Sequence, residues 1–391
     1  MKKITLLIFS CILATMFASC VKDNYKSRTI TSEDDKLAGE KIPVGENESN
    51  PFYKLFVLNQ GTKDYNNASL DFLRFTDNTY VRNAFNQMNP DVALGLGDTG
   101  NDLQVYKNSL WAVMNVSGLV EVMSAVNEKH IASISVPLPR YLTFHGNYAY
   151  VTSWGTVKDA EEGTGTLYKI SLQTLEKVDS LSVGYYPEGV AVCNNRIFVA
   201  NGGGLRLGYD KTLTAIDVDS FKVAGETELV DNIELVTFAG KNVWVKSLGN
   251  YYDQHTSLSC VDATTLKKVE LPKEIEDLHV SLMVGYPAVD RIFGIGATED
   301  ISWPASGYYF FLLDTQNMTV TKYPFEGSAA DGIAYPYGID VNLYTGDVYI
   351  ADAGDFINPG RIVCYTSDLS KKKWEAAAGI GPARFALYYP L

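Results

Sequence analysis

Long apolar segments of helical period are missing from this chain after its first twenty residues, which excludes helical bundles and alternating α/β folds. Cysteine is scarce. Cys11 and Cys20 lie at the N-terminus, leaving Cys193, Cys260 and Cys364, an odd number at long spacings that argues against a disulfide framework. Each of the three falls in an apolar, strand-like stretch, where a free thiol behaves as a small hydrophobe. Histidine is scarcer still, and His130, His145, His255 and His279 share no metal-ligand spacing. Positive charge is in deficit, with 33 Lys+Arg against 46 Asp+Glu and a formal charge of −13, which disfavours a nucleic-acid partner. There is no G-x-S-x-G elbow and no cysteine with a plausible base nearby, so no catalytic residues are assigned. The run Gly97 to Asp102 offers hard oxygens but lacks the ligand spacing of a calcium loop. NGGGLRLG precedes no helix, so it does not read as a phosphate cradle.

What the chain does have is 46% apolar residues, 25 Tyr and 32 Gly, a composition suited to many strands and tight turns. Its N-terminus is specific. Lys2-Lys3, the apolar run Ile4 to Phe17 and then Ala18-Ser19-Cys20 read as a secretory signal ending in a lipobox. Residues 1–19 are therefore expected to be a cleaved signal peptide and Cys20 the lipidation site. Residues 20–50 are rich in charge and poor in large apolar groups, which suggests a disordered tether. Lys22-Asp23 resembles the surface-export signals of Bacteroidetes lipoproteins, pointing to the outer face of the outer membrane.

Residues 51–391 repeat. A short strand recurs seven times with an aromatic between smaller residues, centred on Phe56, Trp111, Tyr150, Phe198, Trp244, Phe293 and Tyr349. Several copies end in a polar residue: Asn59, Asn115, Ser153, Asn201, Ser247 and Asp352. Upstream lies another strand, best seen in Pro187 to Val192; downstream come a third and a more polar fourth, such as Lys222-Val223 or Lys268-Val269. Four short strands per repeat make a propeller blade, so the fold expected is an all-β, seven-bladed β-propeller. The first repeat lacks its first strand, and the chain ends in GPARFALY, which matches PEGVAV and has no second strand after it. The C-terminal strand is therefore expected to close the N-terminal blade, removing both exposed edges.

The loops after the second strands are long and chemically rich, whereas the opposite turns are short, so one working face is expected. Its candidate ligand-binding residues are Tyr65, Trp154, Arg206, Tyr251, Tyr252, Trp303 and Phe356. Aligning the first strands adds Asn101, Arg140, Glu188, Glu234 and Tyr337 at one position. Asp102, Tyr141 and Arg384 come at the next, a mixed ring around the channel mouth. Such a ring suits a ligand with many donors and acceptors, because buried polar groups must be paired. Inter-blade hydrogen bonding is the competing role for each of these residues.

The run GDTGNDLQVYKNSLWAVMN, then VEVM, PRYLTFHGNYAYVTS and YYPEGVAVCNNRIFVANGGG, resembles the YncE-like propeller lipoproteins of gut Bacteroidetes, over residues 53 to 391. Among these the chain is most similar to the BtuG-type proteins. The resemblance implies a surface lipoprotein without enzymatic activity or cofactor. It also implies that cobalamin (vitamin B12) is the transported ligand and a BtuB-like TonB-dependent outer-membrane transporter the partner. The quoted motifs are scaffold residues, so no individual ligand contact follows from them. Two other readings stay open: a capture module for another nutrient such as a glycan, and a propeller enzyme of lactonase or lyase type.

Overall fold

A computed structural model describes residues 37–44, 50–156, 165–203, 210–250, 252–301 and 304–390. Cys20 and residues 20–36 of the expected tether lie outside the described residues, as do 45–49.

Seven antiparallel sheets follow one another around a ring. Blade 1 runs outward from Pro382–Tyr388 through Lys54–Asn59 and Ser69–Arg74 to Thr79–Val81. Blade 2 takes Gly100–Tyr106, Ser109–Met114, Leu119–Ser124 and His130–Ser135; blade 3 takes Pro139–His145, Tyr148–Ser153, Gly165–Ser171 and Lys177–Val183. Blade 4 is Pro187–Cys193, Arg196–Asn201, Thr212–Asp217 and Lys222–Glu228, and blade 5 is Ile233–Ala239, Asn242–Ser247 and Ser257–Asp262. Blade 6 comprises Val280–Tyr286, Arg291–Glu299, Ser306–Asp314 and Thr319–Pro324. Blade 7 comprises Pro336–Asn342, Asp347–Asp352, Pro359–Tyr365 and Lys372–Ile380. The C-terminal strand pairs antiparallel with the first repeat, Leu55 opposite Leu387 and Val57 opposite Phe385, so the ring closes as the sequence predicts.

The second strands are apolar on both faces because each blade packs against two neighbours. Successive side chains point to opposite faces of a strand, so Phe56 and Leu58 enter the seam with blade 2 while Leu55 and Val57 enter the seam with blade 7. The recurring aromatic has one job throughout. Phe56, Trp111, Tyr150, Phe198, Trp244, Phe293 and Tyr349 each insert into the seam with the next blade, all at 5% exposure or less. Emptying one such position costs roughly 3–5 kcal/mol in cores of this kind.

The polar strand ends are joints. Asn115 Nδ2 donates to Pro139 O across the seam of blades 2 and 3 at 2.9 Å. Asn59 Oδ1 accepts from Gly379 N of blade 7 at 3.0 Å, and Asp352 accepts from Tyr335 N at 2.9 Å. These groups are buried but paired, which turns a desolvation cost into specificity of assembly.

Two expectations need correcting. Blade 5 has no full fourth strand: Lys268 makes a single bridge to Val261, and Pro272 then starts a short helix, Lys273–Glu276. A proline cannot donate to the ladder, so the edge stops there. Ile275 and Leu278 fill the place that strand would cover. The tether is also shorter than predicted. Glu40–Lys41 pairs with Thr79 and Tyr80 as a fifth strand on blade 1, and Ile42 is buried among Leu55, Tyr80 and Trp374. One apolar side chain and a short bare edge suffice to dock it.

Candidate functional site

The working face is organised by one backbone irregularity repeated in all seven blades. Near its start, every innermost strand carries a β-bulge against its partner. In five of them a single extra residue is unmatched: Asn101, Glu234, Ser281, Tyr337 and Ala383. In blades 3 and 4 the pairs Arg140-Tyr141 and Glu188-Gly189 fall in the irregular step. A bulge re-aims the side chain it carries. Here the repeat gathers one ring at the mouth of the central channel. Below it the channel holds a cavity of about 430 Å³ lined by the innermost strands, including Leu103, Val190, Val236 and Ile339.

Most of the aligned ring residues do come together. Arg140 Nε donates to Glu188 Oε2 at 2.8 Å, and its guanidinium lies 4.3 Å from the centre of the Trp154 ring. Trp154 in turn packs on Tyr186 at 4.8 Å. Tyr141 lies beneath both arginines, its ring 5.9 Å from Arg140 and 5.5 Å from Arg384. Arg384 donates to Asn101 O (3.1 Å), Ala383 O (3.3 Å) and Tyr141 Oη (3.0 Å), all neutral oxygens. Tyr337 donates to Gln60 Oε1 and forms an aromatic wall with Phe356 and Tyr335, at 4.8 Å from the former.

Sequence reasoning missed Lys246. Its Nζ meets Glu234 Oε2 at 2.5 Å and donates to Ser281 O of blade 6 at 2.7 Å. The signal was available: two residues past the strand aromatic, other blades carry Leu58, Val113, Thr152, Ala200, Ile295 or Ala351. A lysine in a fully buried strand demands a partner. Tyr141, aligned in the ring beside Asp102 and Arg384, does sit there, whereas Tyr186, Gln60 and Tyr335 were left off it.

Charge at the mouth is set by this company. Burial would raise the Glu234 carboxyl, but the Lys246 ammonium and its hydrogen bond outweigh that and hold it below its ordinary value. Glu188 goes the other way: burial pushes it up to about 7 although Arg140 pulls down, and Glu234 adds to the rise. Arg140 and Arg384 are held as cations by surrounding carboxylates and phenols against their burial.

Other candidates have different fates. Asp102 is not free for a ligand: its carboxylate accepts Leu103 N at 2.9 Å and Leu142 N at 3.0 Å, tying blade 2 to blade 3. Asn101 Nδ2 likewise donates to Arg140 O at 2.5 Å. These two are joints, because a buried acceptor or donor beside a seam takes the nearest backbone partner. Tyr65 and Tyr252 stand 74% and 84% exposed in their loops, away from the ring contacts. Arg206, Tyr251 and Trp303 lie outside the described residues. In the Gly97–Asp102 run, Asp98 accepts from Asp64 N, Asn66 N and Thr99 Oγ1 and so shapes its loop. Two of the four histidines, apart along the chain, meet in space: His255 and His279 stack face to face beside Asp300.

No protein-family model matches the chain, and no curated protein sequence matches it. Solved structures do. A quinonprotein alcohol dehydrogenase-like protein from Bacteroides thetaiotaomicron superposes with a TM-score of 0.59 at 15% identity, over 86% of this chain and 79% of that one. Kuenenia stuttgartiensis hydrazine synthase gives 0.57 at 14%, over 73% and 88%. Apo AztD from Citrobacter koseri gives 0.50 at 12%, over 86% and 99%. At such identities the likeness speaks for architecture only: the chain is a seven-bladed β-propeller.

Proposed function

We propose that the chain is a non-catalytic capture protein. In this reading Cys20 anchors it to the outer membrane, and its channel mouth holds a broad, amide-edged ligand, a corrinoid of the vitamin B12 type. A TonB-dependent transporter of the BtuB kind would receive that ligand. The observation that carries the reading is the seven-fold bulge ring, which gathers Arg140, Glu188, Glu234 and Tyr337 about one opening, with Arg384 next to the bulged Ala383. Arg384 spends one N–H on each of its described contacts, leaving a further N–H on Nη1 and on Nη2 for a ligand oxygen. Flat rings flank the opening on two sides, Trp154 with Tyr186 and Phe356 with Tyr335 and Tyr337, a setting suited to the apolar faces of a disc. The sequence resemblance to the BtuG-type lipoproteins supports the choice of ligand and partner.

The test is a calorimetric titration of the chain from residue 36 onward with cyanocobalamin. One-to-one binding is expected, weakened at least tenfold when Trp154, Tyr337 and Phe356 are changed together to Ala, a loss of about 1.4 kcal/mol. No heat at millimolar ligand defeats the corrinoid reading and directs the search to glycans.

One observation favours a propeller hydrolase or lyase instead. Glu188, pushed up to about 7 inside a cleft, has the proton affinity of a general base. Turnover of a lactone that disappears in Glu188→Gln would establish that reading over capture.

A further inference from the structure

At the seam of blades 5 and 6, three loops of the working face deliver two imidazoles and a carboxylate to one point. The ligand-capable atoms of His255, His279 and Asp300 all lie within 4.8 Å of one another. Each residue is held next to a strand end. His279 immediately precedes Val280–Tyr286, and its carbonyl accepts from Ala297 N at 3.1 Å. Asp300 immediately follows Arg291–Glu299, and His255 stands two residues before Ser257–Asp262.

The loop carrying His255 is built for that placement. Asn250 Oδ1 accepts from the backbone of Tyr252, Asp253 and Gln254 at 3.0–3.1 Å, winding the turn. Gly249, at φ +70°, lets the chain pass so close that a Cβ there would meet Gln254 O at 2.1 Å and His255 O at 2.8 Å. No other residue fits that crossing.

Hydrogen bonding alone accounts for only part of the cluster. Asp300 Oδ2 accepts Thr256 N at 2.6 Å and Oδ1 meets His255 Nδ1 at 2.5 Å, which satisfies the carboxylate. His279 Nδ1 points at the same Oδ1 from 3.6 Å, beyond hydrogen-bond reach, with its ring parallel to that of His255 within 4° and 4.2 Å away. A second imidazole brought to the same oxygen but making no bond to it is the feature that calls for a ligand.

We propose that His255, His279 and Asp300 bind a divalent first-row transition ion, for which Zn²⁺ is the natural probe. Two ligand atoms sharing a tetrahedral ion at about 2.1 Å stand roughly 3.4 Å apart. The His279–Asp300 separation already matches this. His255 must withdraw by about 1 Å, trading its hydrogen bond for the ion, and one ring must turn so that both lone pairs converge. Terminal imidazole torsions are broad enough to permit that turn. Two nitrogens and one carboxylate select zinc, nickel, cobalt or copper over calcium and magnesium, which take oxygen ligands. The Asp300 side chain is 2% exposed while those of His255 and His279 are 45% and 27% exposed, so the carboxylate forms the floor and the solvent side stays open. An ion held by three protein groups keeps a position for water or for a ligand group arriving at this face.

The inference does not depend on the corrinoid reading. Chelator-treated protein is titrated with Zn²⁺ in competition with a chromophoric chelator, and separately with Co²⁺ while its visible absorption is followed. One equivalent is expected to bind, with a tetrahedral Co²⁺ spectrum and no displacement by excess Ca²⁺. His255→Ala, on an exposed loop, and Asp300→Asn, which keeps the bond from Thr256, are each expected to weaken binding roughly 100-fold. His145→Ala, at a histidine remote from the cluster, leaves it unchanged. Absence of stoichiometric binding, or binding that survives both cluster substitutions in folded protein, overturns the proposal.

Discussion

The Nζ of Lys246 lies 2.5 Å from Glu234 Oε2, joining the second strand of blade 5 to the bulged residue of its innermost strand at the channel mouth. The Lys246 side chain is 5% exposed and that of Glu234 22%, and each charge has the other as its main partner. Lys246→Met is expected to lower stability by roughly 3–5 kcal/mol, because it strands a buried carboxylate. Lys246→Met combined with Glu234→Gln should recover most of that loss. Urea denaturation of the two variants checks the pair; equal destabilisation in both would show that the lysine matters through packing and not charge.

Glu188 gives a pH dependence with a definite sign. Its carboxyl rises from its ordinary 4.5 to about 7 on folding, so between those values the folded form holds a proton that the unfolded chain has released. Stability from this group is therefore lost as pH climbs through that window, by on the order of 1–3 kcal/mol. Glu188→Gln should remove this part of the slope, read as the difference between wild-type and variant urea midpoints at pH 5 and pH 8. A difference independent of pH would mean that Arg140 keeps Glu188 ionised throughout.

Ring closure depends on the last strand. Tyr388 is fully buried, packs on Phe56 and Tyr53 and donates to Asn108 of blade 2 at 2.8 Å. Removing residues 382–391 opens blades 1, 2 and 7 together and is expected to leave an aggregating chain without a cooperative transition. Tyr388→Ala, milder, should cost about 3–5 kcal/mol. Calorimetry of the two distinguishes closure from a dispensable tail.

The three internal cysteines should be inert. All are free and buried, and burial pushes the Cys193 thiol up and that of Cys260 to about 12. A thiol-reactive dye is expected to leave all three unmodified in the native protein and to label them in denaturant. Rapid labelling of one site without denaturant would mark a blade that opens locally.

Much of this was legible in the residues. The aromatic of each second strand could be found by its spacing, because every blade meets the same problem of filling the seam ahead of it. The ring positions could be aligned because each innermost strand starts alike. Lys246 escaped because an apolar pattern hides one deviating residue, although Thr152 at the matching place in blade 3 also does polar work, donating to Glu188 O at 2.6 Å. The fourth strand of blade 5 misled because a Lys-Val pair reads the same whether or not a proline soon ends its ladder.

By itself the sequence determined the seven repeats, the order of their strands and the closing of the first blade by the last segment. Those follow from local pattern: alternation, turn residues and a missing piece at each end. Tertiary structure decided which polar residues are joints and which face the opening: at equivalent positions, Asp102 takes Leu142 N of the next blade while Arg384 reaches Tyr141 Oη. It also decided that His255, His279 and Asp300 meet. Contacts across a propeller seam join residues from successive blades, and no spacing along one chain encodes how two blades dock.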